Sequence, residues 1–313
     1  MFNIESGIPD PNKIYDVIIL GGGPTALGAA IYAARFALDL LVIGKIFGGL
    51  IASTHIVENY PGITSVSGPE LMDMFRDHIN SLNIPYITDE ITSIEKEENF
   101  FVLKSYFMSF KAYTIIIATG SERKKLNVPG EEEFTGRGVS YCATCDGMFF
   151  KDKKLAVIGG SDSAAKEALF LSQHAREVYI IYRGDDIRAE PINKKRVNEN
   201  DKIKIINHIN IVEIKGNKSV SSVIFDNGNE FDVDGVFIEV GSIPQSQIAI
   251  DVGVKANKKK EIIINRKSET NIPGIYAAGD VADAPFKQAI TGVSEGVIAA
   301  YSVFDYLKLI KKK

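Results

Sequence analysis

The chain carries one pattern twice. An apolar run, Lys13–Leu20, ends in Gly21-Gly22-Gly23-Pro24-Thr25-Ala26, and a second, Lys153–Ile158, ends in Gly159-Gly160-Ser161-Asp162-Ser163-Ala164. Small and apolar residues at helical spacing follow each turn. A further short apolar run closes each set, Asp39–Ile43 and Glu177–Tyr182. Strand, glycine turn, helix and strand in that order make a βαβ unit with parallel strands. Two copies predict an α/β chain with two Rossmann-like nucleotide-binding domains, in keeping with 313 residues.

The second domain is expected to be inserted into the first. Polar breaks fall at residues 120–125 (GSERKK) and 241–245 (GSIPQ), and the late apolar stretch ending in IYAAGD reads as a strand able to rejoin the first sheet. The expected division is therefore 1–120 with 246–313 as one discontinuous domain, and 121–245 as the other, with the two crossings as hinges. A net charge of -4, from 36 basic and 40 acidic residues, argues against a nucleic-acid surface. No apolar run reaches the roughly 18 residues that a membrane helix needs. The first residues lack the pattern of a secretion signal, so a cytoplasmic protein is expected.

The first turn fits G-x-G-x-x-A. Gly21 allows the reversal, Gly23 lets a pyrophosphate approach the backbone, and Ala26 lets the helix pack closely on the strand. A ribose-binding acid usually ends the second strand about 20 residues on; Gly44 and Lys45 stand there instead. Two more strand ends complete a three-part dinucleotide site. Ala118-Thr119-Gly120 offers small residues near a ligand, and Asp280 lies where open α/β sheets bind ligands, placed to accept from a ribose or ribityl hydroxyl.

Both cysteines of the chain, Cys142 and Cys145, lie in SYCATCDGMFF, just before the second βαβ unit. A C-x-x-C pair can close a small disulfide, and its reduction takes two electrons. Zinc would need four ligands, and none of His55, His78, His174 and His208 is near the pair in sequence. Two inert buried cysteines are the other alternative, opposed by the neighbouring Asp146 and Gly147, which favour a polar turn.

GGGPTA, ENYPG (Glu58–Gly62), ATG, CATCDG, YAAGD and KQAI (Lys287–Ile290) occur in this order. With them the chain resembles, over nearly its whole length, the low-molecular-weight thioredoxin reductases of bacteria and archaea. The resemblance implies a homodimeric flavoprotein with FAD in the split domain and NADPH in the inserted one. It implies FAD contacts at Gly21, Gly23, Pro24, Thr25, Ala26, Asn59, Thr119, Gly120, Asp280, Gln288 and Ala289. The family's GGQL segment is Gly48-Gly49-Leu50-Ile51 here, so Leu50 replaces a polar flavin contact. By the same resemblance Cys145 is the sulfur on the flavin side, Cys142 exchanges with the disulfide of thioredoxin or a similar small protein, and Asp146 is the general acid. One domain turns relative to the other in that family.

The second nucleotide motif departs from the family. Ser161 occupies the place of the glycine in Gly159-x-Ser161-x-Ser163, and Asp162 is acidic where an anion would sit. The family's HRRxxxR reads Tyr182-Arg183-Gly184-Asp185-Asp186-Ile187-Arg188, leaving Arg183 and Arg188 as candidate clamps for a 2′-phosphate. Three electron sources stay open: NADPH bound weakly, NADH, or another donor such as ferredoxin. A flavin dithiol oxidase passing electrons to oxygen and a non-catalytic redox sensor are further alternatives. A ferredoxin–NADP reductase is disfavoured because it lacks a redox C-x-x-C.

Overall fold

The computed structural model describes residues 4–6, 10 and 13–311. The chain divides into two compact units: the residues up to Ala52 with Ile56–Glu122 and those from Ile243 onward, and Ser53–His55 with Arg123–Ser242.

In the first unit the glycine turn lies between Ile14–Leu20 and the helix Pro24–Arg35. Ile14–Leu20 is buried on both faces, apolar save for Asp16, and lies within an eight-stranded sheet, paired in parallel with Leu40–Gly44 on one side and Ser109–Ile117 on the other. Strands covered on both faces carry continuous β-branched runs. The late strand Ile275–Ala277 adds to the far part of Ser109–Ile117 in parallel, with Ile275 opposite Ile115. The chain's last described helix, Ala289–Ile310, then packs on Pro24–Arg35. Their contact is close because Gly296 stands where a Cβ would lie 2.4 Å from the Thr25 carbonyl oxygen.

In the second unit five parallel strands run in the order Ile203–Ile206, Glu177–Ile181, Lys154–Ile158, Gly235–Ile238 and Val139–Ser140. The helix Asp162–Ser172 covers one face with Ala164, Ala165, Ala168 and Leu171. A three-stranded antiparallel sheet, Ile211–Gly216, Val220–Phe225 and Glu230–Asp232, covers the other through Ile214, Val223 and Phe225. The two segments through which the chain passes between units, Ser121–Arg123 and Ser242–Pro244, pair with one another. Among the described residues no helix is long and apolar enough to cross a membrane.

Candidate active site

The two glycine turns are built alike. Gly21 has φ +135° and Gly159 φ +147°, both in the region that L side chains avoid. A Cβ on Gly21 would lie 2.1 Å from the Ala118 oxygen, and one on Gly159 2.2 Å from the Glu239 oxygen. Each turn is thus pressed against the end of the adjoining parallel strand, and only glycine fits there.

Two residues on, the turns diverge. Gly23 has φ −86° and ψ 179°, and Ser161 φ −86° and ψ 174°. That is ordinary extended backbone, so nothing in the conformation of Gly23 demands glycine. A Cβ there would meet only Gly49 Cα at 3.9 Å. The open space is a cradle in front of the helix Pro24–Arg35, whose N-cap Gly23 supplies no side-chain cap and leaves the first-turn N–H groups to a ligand. At Ser161 a Cβ and hydroxyl fill the equivalent space, and the hydroxyl accepts from Ala164 N at 3.4 Å. A donor that a phosphate would use is partly spent.

Of the other candidate residues of the first unit, Thr119 and Gly120 follow the strand Ser109–Ile117, and Asp280 follows Ile275–Ala277. Thr25 faces Gly279, where a Cβ would meet Thr25 Oγ1 at 2.6 Å. Asp280 follows Gly279, and its carboxyl is pushed above the ordinary range by burial, against the pull of Lys287. Lys287 Nζ donates to Glu261 Oε1 at 2.6 Å and to the Asp280 carbonyl at 2.9 Å. Asn59 Nδ2 donates to Gln288 Oε1 at 3.1 Å, joining residues far apart in the chain, and Gln288 caps the helix that begins at Ala289. Thr119 Oγ1 donates to the Gln245 carbonyl at 2.7 Å, beside Gly120. Leu50 opens a short 3-10 turn, Leu50–Ser53, and is partly exposed. Helix N-terminus, open cradle and half-buried carboxyl together fit the pyrophosphate and polyol of FAD.

In the second unit Cys142 and Cys145 form a disulfide, with Cα atoms 5.3 Å apart. Cys142 caps the short helix Ala143–Asp146, and Cys145 N donates to its sulfur at 3.2 Å. Asp146 is half-buried, and its Oδ2 accepts from the Ser140 hydroxyl at 2.6 Å, while Ser140 Oγ in turn accepts from Cys142 N at 3.0 Å. Ser140, missed by the sequence reading, therefore ties the candidate acid to the first cysteine. Among the described residues no three His, Cys, Asp or Glu side chains gather as for a metal ion.

Asp162 is not aimed at the second turn's anion position. Its Oδ1 accepts from Glu190 N at 2.8 Å and Asn193 Nδ2 at 2.9 Å, and Oδ2 pairs with Lys166 at 2.8 Å. Burial pushes its pKa up, but these partners outweigh it and hold the carboxyl below its ordinary value. Asp186 pairs with Lys194, and Asp185 is exposed beside His208. Ser163 is exposed on the first turn of the helix. Arg183 and Arg188 are exposed and pair with no carboxylate among the described residues; Arg188 lies 5.9 Å over the Tyr182 ring. Its backbone N donates to the Gly160 carbonyl at 2.6 Å, which sets it beside the glycine turn. The signal missed altogether is a group behind the dithiol helix: Glu167 Oε1 accepts from Ala143 N at 3.3 Å and lies 3.7 Å from Arg123, which also pairs with Glu239.

The model of the family described as pyridine nucleotide-disulphide oxidoreductase matches residues 15–296. The thioredoxin reductase of Bacillus subtilis is 40% identical over 307 residues, which span 96% of this chain and 97% of that one. The solved structure of Lactococcus lactis thioredoxin reductase is similar with a TM-score of 0.91 at 37% identity, covering 94% of this chain and 99% of that one. The thioredoxin reductase of T. acidophilum gives a TM-score of 0.89 at 36% identity, covering 94% and 99%.

Proposed function

The chain belongs to the pyridine nucleotide-disulphide oxidoreductases, and from that premise we propose that it is an FAD-dependent reductase of thioredoxin or a similar small disulfide protein. The observation that carries the reading is the Cys142–Cys145 disulfide beside an acid, Asp146, held by Ser140. When bound, FAD supplies two-electron exchange between a donor and a dithiol. Gly21, Gly23, Pro24, Thr25 and Ala26 would hold its pyrophosphate, Asp280 a polyol hydroxyl, and Asn59, Thr119, Gly120, Gln288 and Ala289 the remainder of the split domain's site. Cys145 takes the electron pair, and Cys142 becomes the thiolate that attacks the partner disulfide. The Cys145 N–H already points at the Cys142 sulfur and steadies that negative charge. Asp146 delivers the proton to the leaving sulfur, with Ser140 fixing its orientation. Met148 and Phe149, 60% and 82% exposed just beyond the dithiol helix, suit a protein partner better than a small molecule. A homodimer and a cytoplasmic setting are part of the proposal on the same family likeness.

The inserted domain's donor is NADPH, held less tightly than in the family pattern, with Gly159, Ser161 and Ser163 at the pyrophosphate and Arg183 and Arg188 at the 2′-phosphate. The filled cradle at Ser161 favours one second reading, in which NADH or a protein donor such as ferredoxin reduces the flavin. Anaerobic addition of NADPH, NADH or reduced ferredoxin to the purified yellow protein separates them: the flavin band near about 450 nm bleaches only with a competent donor. Bleaching with neither nicotinamide nucleotide would sink the NADPH reading. Cys142→Ser and Cys145→Ser should each abolish reduction of a thioredoxin disulfide; activity surviving both would overturn the dithiol reading.

A further inference from the structure

Glu167 lies on the covered side of the helix Asp162–Ser172, its side chain 12% exposed. One oxygen accepts from Ala143 N, the amide that follows Cys142; the other is enclosed and has no hydrogen-bond partner. Arg123, 3.7 Å away, also faces Glu239, so that pair is already neutral and leaves Glu167 as the charge to be settled. On its own helix Lys166 is turned to Asp162, and from the dithiol helix Asp146 is held by Ser140. Burial pushes the Glu167 carboxyl up to about 7, against the opposing pull of Arg123 and the Ala143 amide.

We propose, on the reading that Cys142 and Cys145 are the redox dithiol, that Glu167 is a positioning residue which takes up a proton when their disulfide is reduced and releases it when the disulfide re-forms. The sulfur–sulfur bond breaks with the electron pair that the reduced flavin supplies. One sulfur leaves as a thiol with a solvent proton passed on by Asp146, and the other remains a thiolate. That new negative charge, one residue from the amide that Glu167 holds, disfavours a second one on the carboxylate, and a further solvent proton neutralises Glu167. Conversely, an ionised Glu167 disfavours the thiolate, so its charge sets the nucleophilicity of the reduced pair.

The full chain is reduced with dithiothreitol without oxygen, and its alkylation by iodoacetamide is followed against pH. The unmodified protein should show a lower inflection, set by Glu167 and raised above the ordinary carboxyl range, before the thiol titration. In Glu167→Gln that inflection disappears and alkylation above it is faster by about three- to tenfold, up to one unit of thiol pKa. Glu167→Asp should restore an inflection. Profiles of Glu167→Gln and unmodified protein that coincide would overturn the proposal while the dithiol reading stands. Cysteines that dithiothreitol cannot reduce would instead overturn the dithiol reading itself. Should Glu167→Gln not fold, the redox difference infrared spectrum of Asp146→Asn decides. Reduction near pH 7 must raise a protonated-carboxyl band, and its absence overturns the proposal.

Discussion

Alanine at Gly21 and at Gly23 should give opposite outcomes, although the two glycines belong to one motif. At Gly21 the added Cβ would lie 2.1 Å from the Ala118 oxygen at φ +135°, so the turn or the neighbouring strand must shift by about 1 Å. Backbone strain and a forced contact of this kind cost about 3 kcal/mol or more. Gly21→Ala should therefore lower the melting temperature of the flavin-stripped protein. At Gly23 the conformation is ordinary and the nearest atom is 3.9 Å away, so Gly23→Ala should leave the stripped protein as stable as before, or more so by about 0.4–1 kcal/mol through the unfolded chain. The same methyl group would fill the cradle proposed for the pyrophosphate. FAD affinity should fall by about 100-fold, equivalent to about 2.7 kcal/mol. Calorimetry of the stripped proteins and titration of FAD fluorescence measure both quantities. Unchanged FAD binding in Gly23→Ala would refute the cradle, and unchanged stability in Gly21→Ala would refute the contact argument.

Ser161→Gly should lose only a few tenths of a kcal/mol of stability, since glycine is itself a tolerable cap, and should tighten NADPH by about tenfold, measured by equilibrium titration of the oxidised protein. A weaker complex in Ser161→Gly would mean that the hydroxyl assists the phosphate. Asp162→Asn should cost about 1–3 kcal/mol at neutral pH, because Asp162 accepts from Glu190, Asn193 and Lys166. Its folded pKa is depressed, so its stabilisation is present above the ordinary carboxyl range and lost as pH falls through the folded value. Urea midpoints of the two proteins should accordingly converge in acid. A gap independent of pH would refute this ion-pair account.

The parts of the site that were legible in the sequence are those in which chemistry is written locally. The glycine turns stand out because only glycine can be pressed against Ala118 or Glu239, and the strand Ile275–Ala277 because its run is apolar throughout. Cys142, Cys145 and Asp146 are neighbours in the chain. Asn59 and Gln288 became visible only through family motifs, since no periodicity links residues so far apart. Glu167 was invisible for a different reason. Within AAKEALF it reads as an ordinary helix carboxylate, and what removes it from water, Ala143 and Arg123 packed against that helix, comes from distant parts of the chain. The antiparallel sheet spanning Ile211–Asp232 has a local signal, the turn DNGNE, but its hairpin lies outside the repeated glycine-turn pattern. Sequence places Asp162 at the helix start, where an anion would sit, but does not say which way it points; Asn193 and Glu190 draw it aside.

Gly23 and Ser161 share one backbone conformation while differing in what they leave open. The serine adds only a weak cap, so exchange at that position disturbs the remainder of the chain little. On the proposed reading, the tuning of a dinucleotide site at that position is therefore separable from the thermodynamic integrity of the fold. A lineage could loosen or tighten its hold on one reductant by a single substitution at that position, while the sulfur chemistry continued unaltered.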